Sequence, residues 1–218
     1  FGSSSDTWNA GLSAAQVNST DFGVVICFTA GSANSQINID HVRITITYTP
    51  AAATFTQNDF EWYVDEATVT LTDPWPSGGV TIAENAVLTQ IPATNRPLVS
   101  GDKIRIQMNI TVTNTLADGG QAFQLEYDTY EDCTTASGWA LVGAIASGTI
   151  WRFYDNTSLN DGDPQVNQIS TSDVVADYVE SNDTQTNPNQ VTNGQDMEWD
   201  FAVENNGATA NTTYCFRM

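Results

Sequence analysis

Glu198, Asp200 and Glu204 are the residues whose type and spacing come nearest to a reactive arrangement. They lie in Met197-Glu-Trp-Asp-Phe-Ala-Val-Glu204, where Met197, Trp199, Phe201 and Val203 hold the alternate positions. Period-two alternation is how a half-buried strand reads, with the carboxylates on one face and the apolar side chains on the other. Paired carboxylates can divide acid and base work between them, the chemistry of glycoside cleavage. A third in-phase position is Ala202, and Glu204 comes two residues late. The better account is the polar face of a surface strand, so no catalytic residue and no enzyme are expected. Asn205-Asn206-Gly207 then supplies residues that tolerate positive φ, so the chain reverses. A return strand would put Tyr214, Phe216 and Met218 on one face, with Thr213, Cys215 and Arg217 on the other.

The remaining candidates are few. His41 is the only histidine, which excludes a histidine-based triad or a multi-histidine zinc site within one chain. It is expected at a strand start. Of three cysteines, Cys215 sits where a crosslink would tie the last hairpin to an earlier strand, with Cys133 as partner. That bridge closes a loop of about 80 residues, worth roughly 4 kcal/mol in the chain-entropy model; the alternative is two buried thiols. Cys27 alternates with apolar neighbours and is expected in the core, with nothing basic beside it to activate a thiolate. Asp155, Asp161 and Asp163 cluster around Gly162 as oxygen donors do in calcium loops, although ordinary turns use the same residues. No other cofactor is expected. Asn18, Asn109, Asn156, Asn182 and Asn211 each open an Asn-x-Ser/Thr glycosylation sequon. Trp62 and Trp199 run in phase with apolar neighbours and read as core. Trp75, between two prolines, is the tryptophan expected to be exposed.

Composition removes whole classes of function. The chain has 218 residues, 26 acidic against 6 basic, and a formal charge of -20. Nucleic acid and anionic bilayers both need cations that are not there. No apolar run is long enough to span a membrane. Abundant Thr, Asn, Ser and aromatics at low charge point to an extracellular or cell-surface all-β protein. The chain begins at Phe1 and shows no signal peptide, so it is expected to be processed, engineered or a piece of something longer.

Taken in order, residues 1–21 are small and polar apart from Trp8. Phe22–Phe28 is an apolar run of strand length, expected to be buried on both faces. Val42, Ile44, Ile46 and Tyr48 alternate with Arg43, Thr45 and Thr47 as a long strand, and Pro50–Ala53 reads as a linker. Residues 1–50 therefore form an incomplete sandwich unit, to be completed by another segment or subunit. Residues 51–218 form a fuller one. Phe60, Trp62 and Val64 alternate with Glu61 and Tyr63, and Ala67–Thr72 follows. Lys103–Val112 puts Ile104, Ile106, Met108, Ile110 and Val112 inward and the residues between them outward. Phe123–Tyr127, Trp139–Ala144 and Thr149–Tyr154 add short strands. Ser170–Glu180 is the one place for a helical turn, with Val174 and Tyr178 four apart and Ser172 as cap. Short strands joined by Gly/Asn/Pro turns predict an all-β, antiparallel β-sandwich, Ig-like or jelly-roll-like.

Two resemblances bear on function. Glu198-Trp-Asp resembles the Glu-x-Asp-x-Glu strand of retaining glucanases with a concanavalin-like sandwich, and departs from it at Ala202. The stretch from Asp6-Thr-Trp through Ile39-Asp-His-Val-Arg-Ile-Thr-Ile-Thr-Tyr resembles the closing half of a β-sandwich module of large secreted and surface proteins of environmental bacteria. The part from Phe60-Glu-Trp-Tyr-Val-Asp to Asn211-Thr-Thr-Tyr-Cys-Phe-Arg is similar to a second module found beside it, with a cysteine pair placed as here. This implies a structural role outside the cell and carries over no catalytic residues. The expectation is a non-enzymatic subunit or segment of a surface filament, pilus-like fibre or adhesin. Its partners would be copies of itself or neighbouring modules, joined by strand complementation through residues 1–21 or 41–49. The alternative is a carbohydrate-binding module whose exposed aromatics stack on glycans.

Overall fold

The computed structural model describes residues 11–25, 27, 39, 41–46, 49, 51–75, 83–87, 98–181 and 184–218. The chain divides into two compact units, Phe1–Pro50 and Ala51–Met218.

The described residues of the first unit contain one helical turn, α1 (Ala14–Val17), and no strand. Ser13 caps the turn: its Oγ accepts from Gln16 N at 3.3 Å while Gln16 Oε1 accepts from Ser13 N at 2.8 Å. The expected apolar run is not buried where it is described, with Val24 and Val25 both exposed. Cys27 is exposed and free rather than in a core. The expected strand at 41–48 is likewise absent from 41–46, where Val42, Ile44 and Ile46 are 53%, 47% and 44% exposed. Alternation encodes a face, but a strand also needs a neighbour to take its backbone hydrogen bonds.

The second unit is all-β. Its strands are β1 (Thr54–Val64), β2 (Lys103–Thr113), β3 (Ala122–Phe123), β4 (Glu126–Thr129), β5 (Ala140–Leu141), β6 (Trp151–Phe153), β7 (Val174–Val179), β8 (Gln185–Thr186), β9 (Asp196–Asn205) and β10 (Tyr214–Arg217). The large sheet runs β1-β2-β9-β6, and β7 flanks β9 further along the edge that β6 occupies. β10-β4-β5 form a second sheet and β3-β8 a short ribbon. All pairs are antiparallel except β7 with β9.

Register aligns Trp62, Ile106 and Phe201 across three strands, and Met108 beside Trp199. This apolar face meets the second sheet through aromatic edges: Trp62 on Phe216 at 5.9 Å between ring centroids, Trp151 on Phe216 at 5.1 Å and Trp151 on Tyr214 at 5.7 Å. β10 therefore does not return along β9 as a hairpin. After the turn at Gly207 (φ 102°) the chain crosses to the other sheet and pairs with β4. Cys133 and Cys215 are disulfide-bonded, tying the loop after β4 to β10.

Two further expectations are corrected. Residues 170–180 form no helix. Val174 and Tyr178, four apart, are in phase for a strand as well as for a helix, so the spacing alone does not separate the two; β7 also carries a register shift between Val175 and Tyr178. Ala67–Thr72 is not a strand either. Glu66 accepts from Thr72 N and Asp73 N, and this curls the segment.

Candidate functional site

Two of the three carboxylates prominent in the sequence do not face solvent. Glu198 and Asp200 are both fully buried, and so are Arg105, Gln107 and Asn109, the residues expected to point outward from β2. The polar face of the large sheet is a second interior. Register sets Gln107 beside Asp200, Asn109 beside Glu198 and Lys103 beside Glu204.

Two irregular segments roof this layer, and they bond to it through backbone groups. The first, 65–72, lies over Arg105, whose Nη1 donates to the carbonyls of Glu66 and Thr68, each at 3.3 Å. The second, 165–172, is held by Glu198: its carboxylate accepts from Gln168 N at 3.0 Å and Ile169 N at 3.0 Å. Asn109 Nδ2 donates to Thr171 Oγ1 at 2.8 Å, while its own oxygen accepts from Asp59 N at 2.9 Å. Gln168 joins the two roofs by accepting from Leu71 N at 2.8 Å and donating to Leu71 O at 2.6 Å. A buried peptide group needs a partner, and here side chains supply what a third sheet would otherwise provide.

The charges are arranged around one cation. Arg105 grips Asp200 with both arms of its fork, Nε lying 2.8 Å from Oδ1 and Nη2 on Oδ2. Its guanidinium stacks 4.3 Å from the Tyr178 ring centroid, and Tyr178 donates to Glu180 at 2.9 Å. Burial works against the Arg105 charge, but Asp200 overcomes this and leaves its pKa raised. Burial raises Asp200, with Arg105 opposing. Glu198 has no cation: desolvation pushes it up to about 7 against the hydrogen bonds it accepts from Ser172, Gln168 and Ile169. Burial also raises Glu61, Asp65 and Glu180, and lifts Asp177 to about 6 with help from Asp161.

Such a layer can hold protons near neutrality, but neither water nor a glycan reaches Glu198 or Asp200 in this fold. Glu204 is paired elsewhere, bidentate with Arg152 at 2.9 and 3.0 Å. The three carboxylates are therefore structural partners of three different neighbours. Arg105, Gln107, Gln168 and Glu180 carry no functional expectation from the sequence, while Asn109 reads there only as a sequon and Tyr178 only as part of a helical turn. The legible signal was an arginine set between isoleucines in a chain with 6 basic residues, in phase with Gln and Asn.

The other candidates are scattered. Asp161 accepts from Glu180 N at 2.8 Å and Ser181 N at 3.2 Å, and Asp163 from Asn160 N at 2.8 Å, as turn residues do. Among the described residues no group of three or more His, Cys, Asp or Glu is placed to hold a metal ion. Trp75, expected to be exposed, is buried with 3% of its surface accessible. Trp139 is half-buried beneath Arg217, 4.3 Å from its ring centroid. Trp8 and Asn182 lie outside the described residues. Asn109 and Asn156 are buried, and Asn156 Nδ2 donates to Asp65 at 2.9 Å and to Glu66 O at 2.7 Å; Asn18 and Asn211 are exposed. No helix among the described residues is long and apolar enough to cross a membrane. Compared with known proteins, the chain matches no protein-family model, no curated protein and no solved structure.

Proposed function

We propose that this chain is a non-enzymatic structural module of an exported, cell-surface protein. Its second unit is a β-sandwich of Ig-like or jelly-roll-like type. It assembles with copies of itself or with neighbouring modules into a filament, pilus-like fibre or adhesin. The observation that carries this reading is the segment 41–46. Val42, Ile44 and Ile46 alternate as a strand face does, yet all three are exposed. A period-two apolar face left open fits a donor strand, which gains its backbone partners and side-chain pockets from another sheet. The acidic balance, the disulfide and the sealed polar layer support a rigid part working outside the cell. The carbohydrate-binding alternative has no exposed tryptophan among the described residues to carry it.

The test is light scattering and negative-stain imaging of the oxidised chain across a concentration series, beside V42K/I44K/I46K. Concentration-dependent assembly in the parent and none in the variant is the expected result. A parent that stays monomeric, or a variant that assembles equally well, overturns the reading. The thermal midpoint of residues 51–218 should be the same in both.

A further inference from the structure

Five sequons are equivalent in the sequence, and burial separates the four that are described. Asn109 is fully buried and Asn156 is 6% exposed, with both amides engaged in the polar layer, so neither can carry a sugar in the folded chain. Asn211 is the opposite case. It is exposed in the turn before β10, with φ 58°, in the left-handed region that asparagine tolerates. Its side chain has no hydrogen-bond partner among the described residues. The turn is itself anchored, because Thr209 N donates to the Tyr214 hydroxyl at 2.9 Å.

Beside Asn211 lies a cleft of about 550 Å³ lined by Thr129, Tyr130, Glu131, Asn211, Thr212 and Thr213. Its size is within the range of small-ligand sites. The lining offers hydroxyls, one carboxylate, and a Tyr130 ring that is 46% exposed. Hydroxyls and an open aromatic ring are what a pyranose packs against: the ring meets the apolar sugar face, and the polar groups meet its hydroxyls. Thr213, which completes the sequon Asn211-Thr212-Thr213, is part of the same wall.

We propose that Asn211 carries an N-linked glycan whose first sugar lies in this cleft against Tyr130. This rests on the reading that the chain is exported. The donor is a lipid-linked oligosaccharide pyrophosphate. A bond forms between Asn211 Nδ2 and the anomeric carbon, the carbon–oxygen bond to the pyrophosphate breaks, and the lipid pyrophosphate leaves as the amide gives up one proton. Asn18, exposed at the end of α1, stands outside the proposal.

Non-reducing peptide mapping by mass spectrometry of the chain isolated from the cells that make it tests this. The expected result is a linked Cys133–Cys215 pair, a sugar-bearing Asn211 peptide, and unmodified Asn109 and Asn156. A linked disulfide with bare Asn211 overturns the glycan and leaves export standing, whereas free thiols with bare Asn211 overturn both. A sugar on Asn109 or Asn156 of the folded chain overturns the selection by burial. Enzymatic release of the glycan from folded protein should be severalfold faster in Tyr130→Ala; equal rates overturn its placement in the cleft.

Discussion

The guanidinium of Arg105 and the carboxylate of Asp200 meet fork to fork on neighbouring strands, and neither side chain reaches solvent. They sit between two roofing segments that take their backbone partners from the same layer. The polar face of the large sheet is thus held together by charge, amides and peptide groups, as its other face is by aromatic rings.

Removing one partner of a buried pair leaves the other charge without compensation, which costs about 3–5 kcal/mol. Arg105→Met should therefore lower the denaturant midpoint steeply at pH 8. R105M/D200L should recover much of the loss, since the lone carboxylate is gone. Equal stability of the single and double variants would show that Asp200 stays neutral in the fold.

Glu198 rises from 4.5 to about 7 on folding. Between those values the unfolded chain ionises first, so the folded state binds more protons and stability increases as pH falls. The contribution is full below about pH 4.5 and is lost as pH rises through 7; its size is on the order of 3 kcal/mol. Asp177, lifted to about 6, acts in the same direction. Unfolding midpoints should climb from pH 8 to pH 5, and Glu198→Gln should flatten the climb. A variant with the parent's slope would remove Glu198 from this account.

Reducing the Cys133–Cys215 bridge, which spans 82 residues, releases a long loop in the unfolded chain. The chain-entropy model puts the loss at about 4–5 kcal/mol. Chemical denaturation with and without reductant measures it directly, with Cys133→Ser/Cys215→Ser as the control. A midpoint unchanged by reduction would mean that the β4–β10 pairing alone holds this corner.

Gly143 should not tolerate a side chain. Its N–H donates to Trp151 O at 3.0 Å and its carbonyl accepts from Phe153 N at 2.8 Å, bringing it close against β6. A Cβ there would collide with the hydroxyls of Thr149 and Ser147. Gly143→Ala is expected to cost about 1–3 kcal/mol by overpacking, read as a lower thermal midpoint. Gly148→Ala, with open space around the added carbon, is the comparison that should change little.

The alternations at Phe60–Val64, Lys103–Val112 and Met197–Val203 were sufficient to place β1, β2 and β9 and their apolar face. Period-two burial is a local property that each strand carries by itself. The same alternation misassigned the opposite face. Arg105, Gln107, Asn109, Glu198 and Asp200 read as solvent-facing because polar residues on a strand ordinarily meet water. Their burial depends on segments 65–72 and 165–172, far away in the chain, arriving with peptide groups that need partners. Residue type shows what a side chain can bond to; only the tertiary structure decides whether water or another part of the chain fills that role. In β7 the spacing of four between Val174 and Tyr178 fits a strand and a helix alike, and only pairing with β9 decides between them. The crossing of β10 to the second sheet was likewise beyond local reading. A turn at Gly207 permits reversal, but which edge the chain then joins is set by the open partner at β4 and the packing of Phe216 on Trp62 and Trp151.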